Sequence, residues 1–309
     1  DVEPFVSRTA GEARIFDKTI QSAYKARFAN GAILSPRLLF MVEERDAGPL
    51  GVPAGRKSIK SSRSANEKKP WKSLESFEGM VETEFVRPLY SGESLLPYSM
   101  MAPLKVIVPW NGTKLLGSSD EDLELYIGLA DWWHAAEDCW ETHRSSARLT
   151  LLEQLDYLSK LSKQFPIPNI RIVYNKSGMH LSAAIVTNKR AVISNGLYWA
   201  AAASMDEAHY ICAFLNSPVT TELVRPLMSY GKDERHIDKY VWGLTFPELS
   251  SQEADHIEIY SLGEEAAQLA GSVETDSSKH FSAQRRAVRN ALSGTAVCKR
   301  IDELIYQLL

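Results

Sequence analysis

Glu67-Lys68-Lys69 has the E-x-K arrangement of metal-dependent DNA cleavage sites, and Asp46 stands upstream as a second carboxylate for Mg²⁺. Such chemistry needs its acids on a rigid strand pair, whereas the surrounding "SRSANEKKPW" reads as a loop, where a solvated charge run accounts for the same letters. His134, Cys139 and His143 are metal-ligand types, but on a helix His134 lies around the cylinder from the other two, and no second ligand cluster follows. His209 and Cys212 fall within an apolar run and offer no better site. Neither a phosphate-cradling glycine loop nor a G-x-S-x-G elbow occurs.

What the residues supply most clearly is positive charge. Between positions 56 and 72 stand Arg56, Lys57, Lys60, Arg63, Lys68, Lys69 and Lys72 against Glu67 alone. Cations on a glycine- and serine-containing arm can follow a phosphate backbone, and Trp71 adds a stacking face. A second cluster, Lys232, Arg235, His236 and Lys239, follows Gly231, which is expected to end a helix, and precedes an apolar strip from Trp242 to Leu249 that would brace it on the core. A solvated face is the bland reading of both clusters.

The elements that must hold these residues fall into three parts. Residues 1–118 read as a β-rich module: "GAILSPRLLFMVEE", "GMVETEFVRPLYSGESLLPYSM" and "LKVIVPW" are apolar or alternating and bounded by turn residues. Its longest loop, 47–72, is the basic one and is expected to be a mobile arm. Residues 119–165 lack proline, carry ten acids against four bases, and show helical spacing from Leu123 to Phe165, so they are expected to form a long helical spacer of one or two helices. Residues 166–309 read as a mixed module. "IRIVYNKSGMHLSAAIVTNKRAVIS" suggests a meander, Ser204-Met-Asp-Glu207 and Ser250-Ser-Gln-Glu253 have capping-box spacing, and helices near 282–292 and 296–308 close the chain. The fold class is therefore α+β.

The chain has 309 residues, 44% apolar content and a net charge of −4, enough for an ordinary core in two domains. The uncharged run from Ala191 up to Asp206 is too short and too interrupted to span a bilayer, so no membrane partner is expected. Cys139, Cys212 and Cys298 are few and far apart, which suits reduced thiols and a cytoplasmic setting. The sequence begins at Asp1 without a methionine and is expected to be part of a longer chain.

Three stretches together resemble a known family. "GAILSPRLLFMVEE", then "TLLEQLDYLSKLSKQFP" leading into "RIVYNKSGMHLSAAIV", then the run from "AVISNGLYWAAAASMDEAHYICAFLNSP" to "GKDERHIDKYVWGLTFPEL", resemble in order the carboxyl-terminal region of large adenine-specific N6 DNA methyltransferases of restriction and phage-defence systems. A looser version of this layout occurs in type I restriction specificity subunits.

The resemblance implies a target-recognition region acting on double-stranded DNA. The family's [DNS]-P-P-[YF] and F-x-G-x-G motifs are not among these residues, and Asn216-Ser-Pro-Val219 lacks the second proline and the aromatic. Catalysis and S-adenosylmethionine are therefore expected in a domain upstream of Asp1. No cofactor is expected here, and this chain alone should be inactive. The DNA contacts expected are Arg56, Lys57, Lys60, Arg63, Lys68, Lys69, Lys232, Arg235 and Lys239. Two alternatives stand beside it: a subunit-docking module using the acidic helical part and closing helices, and a Mg²⁺ nuclease using Asp46, Glu67 and Lys69.

Overall fold

Apolar side chains of this chain gather on two sheets, each covered by helices that its own sequence supplies. The computed structural model describes residues 22–49, 51–230, 235–276 and 278–309. From the amino end come a helical turn α1 (Tyr24–Arg27), strand β1 (Ala29–Asn30), a second turn α2 (Arg37–Phe40), and strands β2 (Met41–Glu44), β3 (Arg56–Ser61), β4 (Glu78–Glu82) and β5 (Val86–Tyr90). A small hairpin, β6 (Leu95–Leu96) and β7 (Ser99–Met100), precedes β8 (Leu104–Ile107) and helices α3 (Ile127–His143) and α4 (Leu151–Leu155). Strands β9 (Arg171–Asn175), β10 (Ala183–Val186), β11 (Val192–Ile193) and β12 (Leu197–Ala201) lead into α5 (Met205–Asn216) and α6 (Pro218–Val224). After the pair β13 (Ser229–Tyr230) and β14 (Arg235–His236), the chain closes with α7 (Ala254–Ser272), α8 (Phe281–Ser293) and α9 (Ala296–Leu308). The class is α+β, with helices at the carboxyl end.

The first sheet has the order β11-β5-β8-β2-β3-β4 and the second β1-β12-β9-β10. Pairing is antiparallel except between β11 and β5, where Val192 faces Leu89 and Ile193 faces Tyr90 in parallel. The expected meander is thus split: β9 and β10 pair with each other in the second sheet, while β11 crosses to the first.

Two other expectations are corrected. The 47–72 arm is not a free loop, because residues 56–61 form β3 between β2 and β4. Its cations do not deter pairing because carboxylates face them: Arg56 meets Glu82 at 3.0 Å, Lys60 meets Glu43 at 2.9 Å, and Lys57 pairs with Glu44. Opposite charges across strands favour the register. The 119–165 segment does not stand apart as a spacer. Leu129, Trp132, Trp133, Ala136, Leu151 and Leu155 are buried in the same core as Val42, Ile59, Val81 and Val106 of the first sheet. Helix α3 is fixed at its start by Glu82, whose carboxylate accepts from the Gly128 and Leu129 amides at 3.0 and 2.9 Å.

A second core lies beneath α5 and α7. Trp242 is fully buried and stacks on Phe28 at 4.7 Å, while Phe214 stacks on Phe246 at 3.9 Å. The strip after the second basic cluster is therefore an anchor, as Val241, Trp242, Leu244 and Phe246 are all buried. Ser204 caps α5 by accepting from the Glu207 amide at 3.1 Å. The matching signature at Ser250 does not form: α7 starts at Ala254, and the Ser250 amide instead donates to His256 Nδ1 at 3.0 Å. Among the described residues no helix is long and apolar enough to cross a membrane.

Candidate nucleic-acid interface

Arg63 organises the loop after β3. Its guanidinium donates to Glu67 Oε2 at 2.8 Å, to the Leu74 carbonyl at 2.8 Å and to the Trp71 carbonyl at 2.8 Å. Glu67 also accepts from the Ser64 amide at 3.2 Å, and Lys72 donates to the Ala65 carbonyl at 2.9 Å. These bonds turn a glycine-poor, polar stretch into a fixed shelf, and Trp71 pins it by stacking on Trp140 of α3 at 5.7 Å with the rings 14° apart.

The shelf is one wall of a cleft of about 590 Å³, whose opposite wall is the end of α3 and residues 34–37. Lys68 and Lys69 project from the shelf, exposed and without an ion-pair partner among the described residues. Arg144 faces them, held through the Leu149 carbonyl at 2.8 Å. Arg37 donates to the Ser62 carbonyl at 2.8 Å and to its hydroxyl at 3.1 Å, so it too carries its charge without a carboxylate.

Leu34 and Arg37 also line a second cleft, of about 400 Å³, whose far side is Asn175, Ser177, Asn195, Phe281 and Arg285. The two cavities adjoin at Leu34 and Arg37 and together are called the groove, the second opening between the sheets and the first lying between the shelf and the end of α3. Its carboxylates are Glu67, engaged by Arg63, and Glu93. An uncompensated row of cations with an aromatic platform is the arrangement that attracts a polyanion.

The candidate residues from sequence divide sharply. Lys68 and Lys69 enter the groove. Arg56, Lys57 and Lys60 are paired with carboxylates on the strand, and Arg63 is internal to the shelf. Arg235 donates to the Arg225 carbonyl at 3.0 Å, and His236 next to it bridges to Ser177, which places the β13–β14 pair at the rim of the second cleft. Lys239 lies away from it, donating to the Lys25 carbonyl at 3.2 Å over the Tyr198 ring. Burial and the nearby Lys25 charge lower its pKa, as suits a structural cation. Lys232 lies outside the described residues. Arg37, Arg144 and Asn195 were not singled out by sequence, since each is an isolated polar letter in an otherwise apolar or acidic stretch.

The nuclease arrangement does not assemble, because Glu67 is occupied by Arg63. Among the described residues no group of three or more His, Cys, Asp or Glu side chains could hold a metal ion. Asn216, the residue nearest to a catalytic tetrapeptide, pairs with the Ala183 backbone, accepting from its amide at 3.0 Å and donating to its carbonyl at 2.9 Å.

No family description matches the sequence, and no curated protein matches it. Among solved structures the chain is similar to the Type IIL restriction-modification enzyme MmeI in complex with DNA, with 11% identity and a TM-score of 0.49 over 73% of this chain and 28% of that one. It is also similar to the type IIG restriction endonuclease BpuSI, with 12% identity and a TM-score of 0.38 over 90% of this chain and 31% of that one. The chain spans less than a third of the length of either structure.

Proposed function

We propose that this chain is the target-recognition region of an adenine-specific N6 DNA methyltransferase of the restriction-modification type, binding double-stranded DNA along this groove. The observation that carries the reading is the sorting of charge. Within the basic stretch, Arg56, Lys57 and Lys60 are neutralised by Glu82, Glu44 and Glu43, whereas Lys68 and Lys69 reach the groove without a carboxylate and meet Arg37 and Arg144 there, likewise without one. The order of sequence elements shared with the methyltransferase family supports the same assignment. In this reading methyl transfer belongs to a catalytic domain of the parent protein, consistent with a sequence that carries no F-x-G-x-G motif, and this region positions the duplex for it.

The test is the salt dependence of duplex binding. Replacing Lys68 and Lys69 together with alanine should lower the slope of log K against log[salt] by about 2, close to 0.9 per phosphate contact. Replacing Lys57 and Lys60 with methionine should leave it within about 0.5. Absence of duplex binding by the unaltered chain at low salt would overturn the assignment and favour a subunit-docking role.

A further inference from the structure

Asn195 is held more rigidly than any exposed polar residue of a turn needs to be. It sits in the turn between β11 and β12, closed by the Leu197 amide donating to the Ser194 carbonyl at 3.0 Å. Four bonds tie the turn to three other segments: Asn195 N–H to the Ala32 carbonyl at 2.8 Å, the Asn30 side-chain amide to the Asn195 carbonyl at 3.3 Å, Ser194 N–H to the Tyr90 carbonyl at 2.9 Å, and Lys176 N–H to the Gly196 carbonyl at 3.0 Å. Gly31 packs against the Ser194 carbonyl so closely that a Cβ there would overlap it.

All of these bonds use the backbone. The Asn195 side chain is exposed and, among the described residues, has no intramolecular hydrogen-bond partner, although it lines the second cleft. Asn175, in the same cleft, shows the contrast: its amide donates to Ser177 and His180 carbonyls at 2.8 and 2.9 Å and accepts from Ser182 at 2.8 Å. One asparagine is a fastener, and the other combines an anchored backbone with a carboxamide left for an external partner. Arg37 lines the same cleft without a carboxylate, so a phosphate drawn to it would bring base edges towards the Asn195 amide.

Resting on the DNA reading above, we propose that Asn195 is a specificity-determining residue that reads an adenine through the major groove, donating from Nδ2 to N7 and accepting at Oδ1 from the N6 amine. This is the base whose edge matches a carboxamide in both positions. The fixed backbone limits which base edges the carboxamide can reach, and the two hydrogen bonds to adenine would fix its rotamer.

The experiment is selection of bound duplexes from a randomised library by the chain and by its Asn195→Ala and Asn195→Gln variants, with thermal melts to confirm folding. The unaltered chain should select a motif containing an A·T pair whose preference falls about tenfold or more in Asn195→Ala, while the salt slope is unchanged. A variant that fails to fold is replaced by a substitution on the DNA: 7-deazaadenine at that position should weaken binding of the unaltered chain by a similar factor. Identical motifs from chain and variant, indifference to 7-deazaadenine, or duplex binding with no sequence preference would each overturn the Asn195 assignment while leaving the groove reading intact. Loss of all duplex binding at low salt overturns the groove reading, and the Asn195 role with it.

Discussion

Arg63 and Glu67 form a salt bridge at 2.6 Å inside the shelf, with the Glu67 side chain only 6% exposed. This pair shapes the surface that Lys68 and Lys69 present, with Glu67 itself part of the groove lining. Glu67→Ala removes a negative charge beside the cations, so simple electrostatics would have it strengthen DNA binding. The expected outcome is the reverse. Loss of the bridge should cost the shelf about 1–2 kcal/mol and weaken duplex binding, and amide exchange over residues 64–74 should accelerate. Tighter binding by Glu67→Ala with unaltered exchange would show that the shelf does not depend on it.

Glu82 couples the first sheet to α3, and its removal should be felt globally. Glu82→Ala strips the cap from two amides and leaves Arg56 without its partner, at a cost of about 1–3 kcal/mol in denaturant unfolding. Gly128→Ala should be more damaging, because a Cβ there would overlap the Met80 carbonyl oxygen where helix and strand meet. A fully folded Gly128→Ala protein of normal melting temperature would refute that close approach.

Asn216 provides a test that separates structure from catalysis. Its amide closes a backbone-like pair with Ala183 and donates to the Cys212 carbonyl at 2.9 Å, so Asn216→Ala should destabilise the chain by about 1–3 kcal/mol. Salt-dependent duplex binding measured below the melting transition should not change.

Two buried ionisable groups pull stability in opposite pH directions. Burial raises the Asp302 carboxyl above its ordinary value of 3.8, against the hydrogen bond from Ser217, with Glu222 adding to the rise. The folded chain thus favours the protonated form, and the contribution present below pH 3.8 is lost as pH rises through the folded pKa. Asp302→Asn should raise the melting temperature at pH 7 by about 1–2 °C, with the gain vanishing towards strongly acidic pH. His256 behaves oppositely. Burial lowers it below 6.5 against the raising effect of Glu253 and Asp255, and its Nδ1 must stay unprotonated to accept from Ser250. Its contribution is present above pH 6.5 and lost as pH falls through the folded value, so His256→Ala should flatten the melting profile on the acid side.

Local signals were the legible part of this fold. Ser204 and Pro218 bracket α5 as their chemistry requires, and the two closing helices lie where apolar spacing put them. Long-range pairing was not legible. "RKSIKS" has a single β-branched residue and reads as loop, and only Glu43, Glu44 and Glu82, brought from strands on either side, make it a strand. The same blindness affected the site: from sequence all cations in 56–72 look alike, and only the fold shows which have carboxylates beside them. Asn195 was read as an interruption of an apolar run, because an amide's lack of partners is not visible in a string.

Strand β11 belongs to the second half of the chain by sequence and to the first sheet by pairing. Exchange of the amino- and carboxyl-terminal parts between related proteins at a crossover near 165 would therefore hand the recipient a foreign edge strand for its own β5. Productive chimaeras should be those whose junctions carry residues 86–90 and 192–193 together, so that the one parallel pair of the sheet always comes from a single parent.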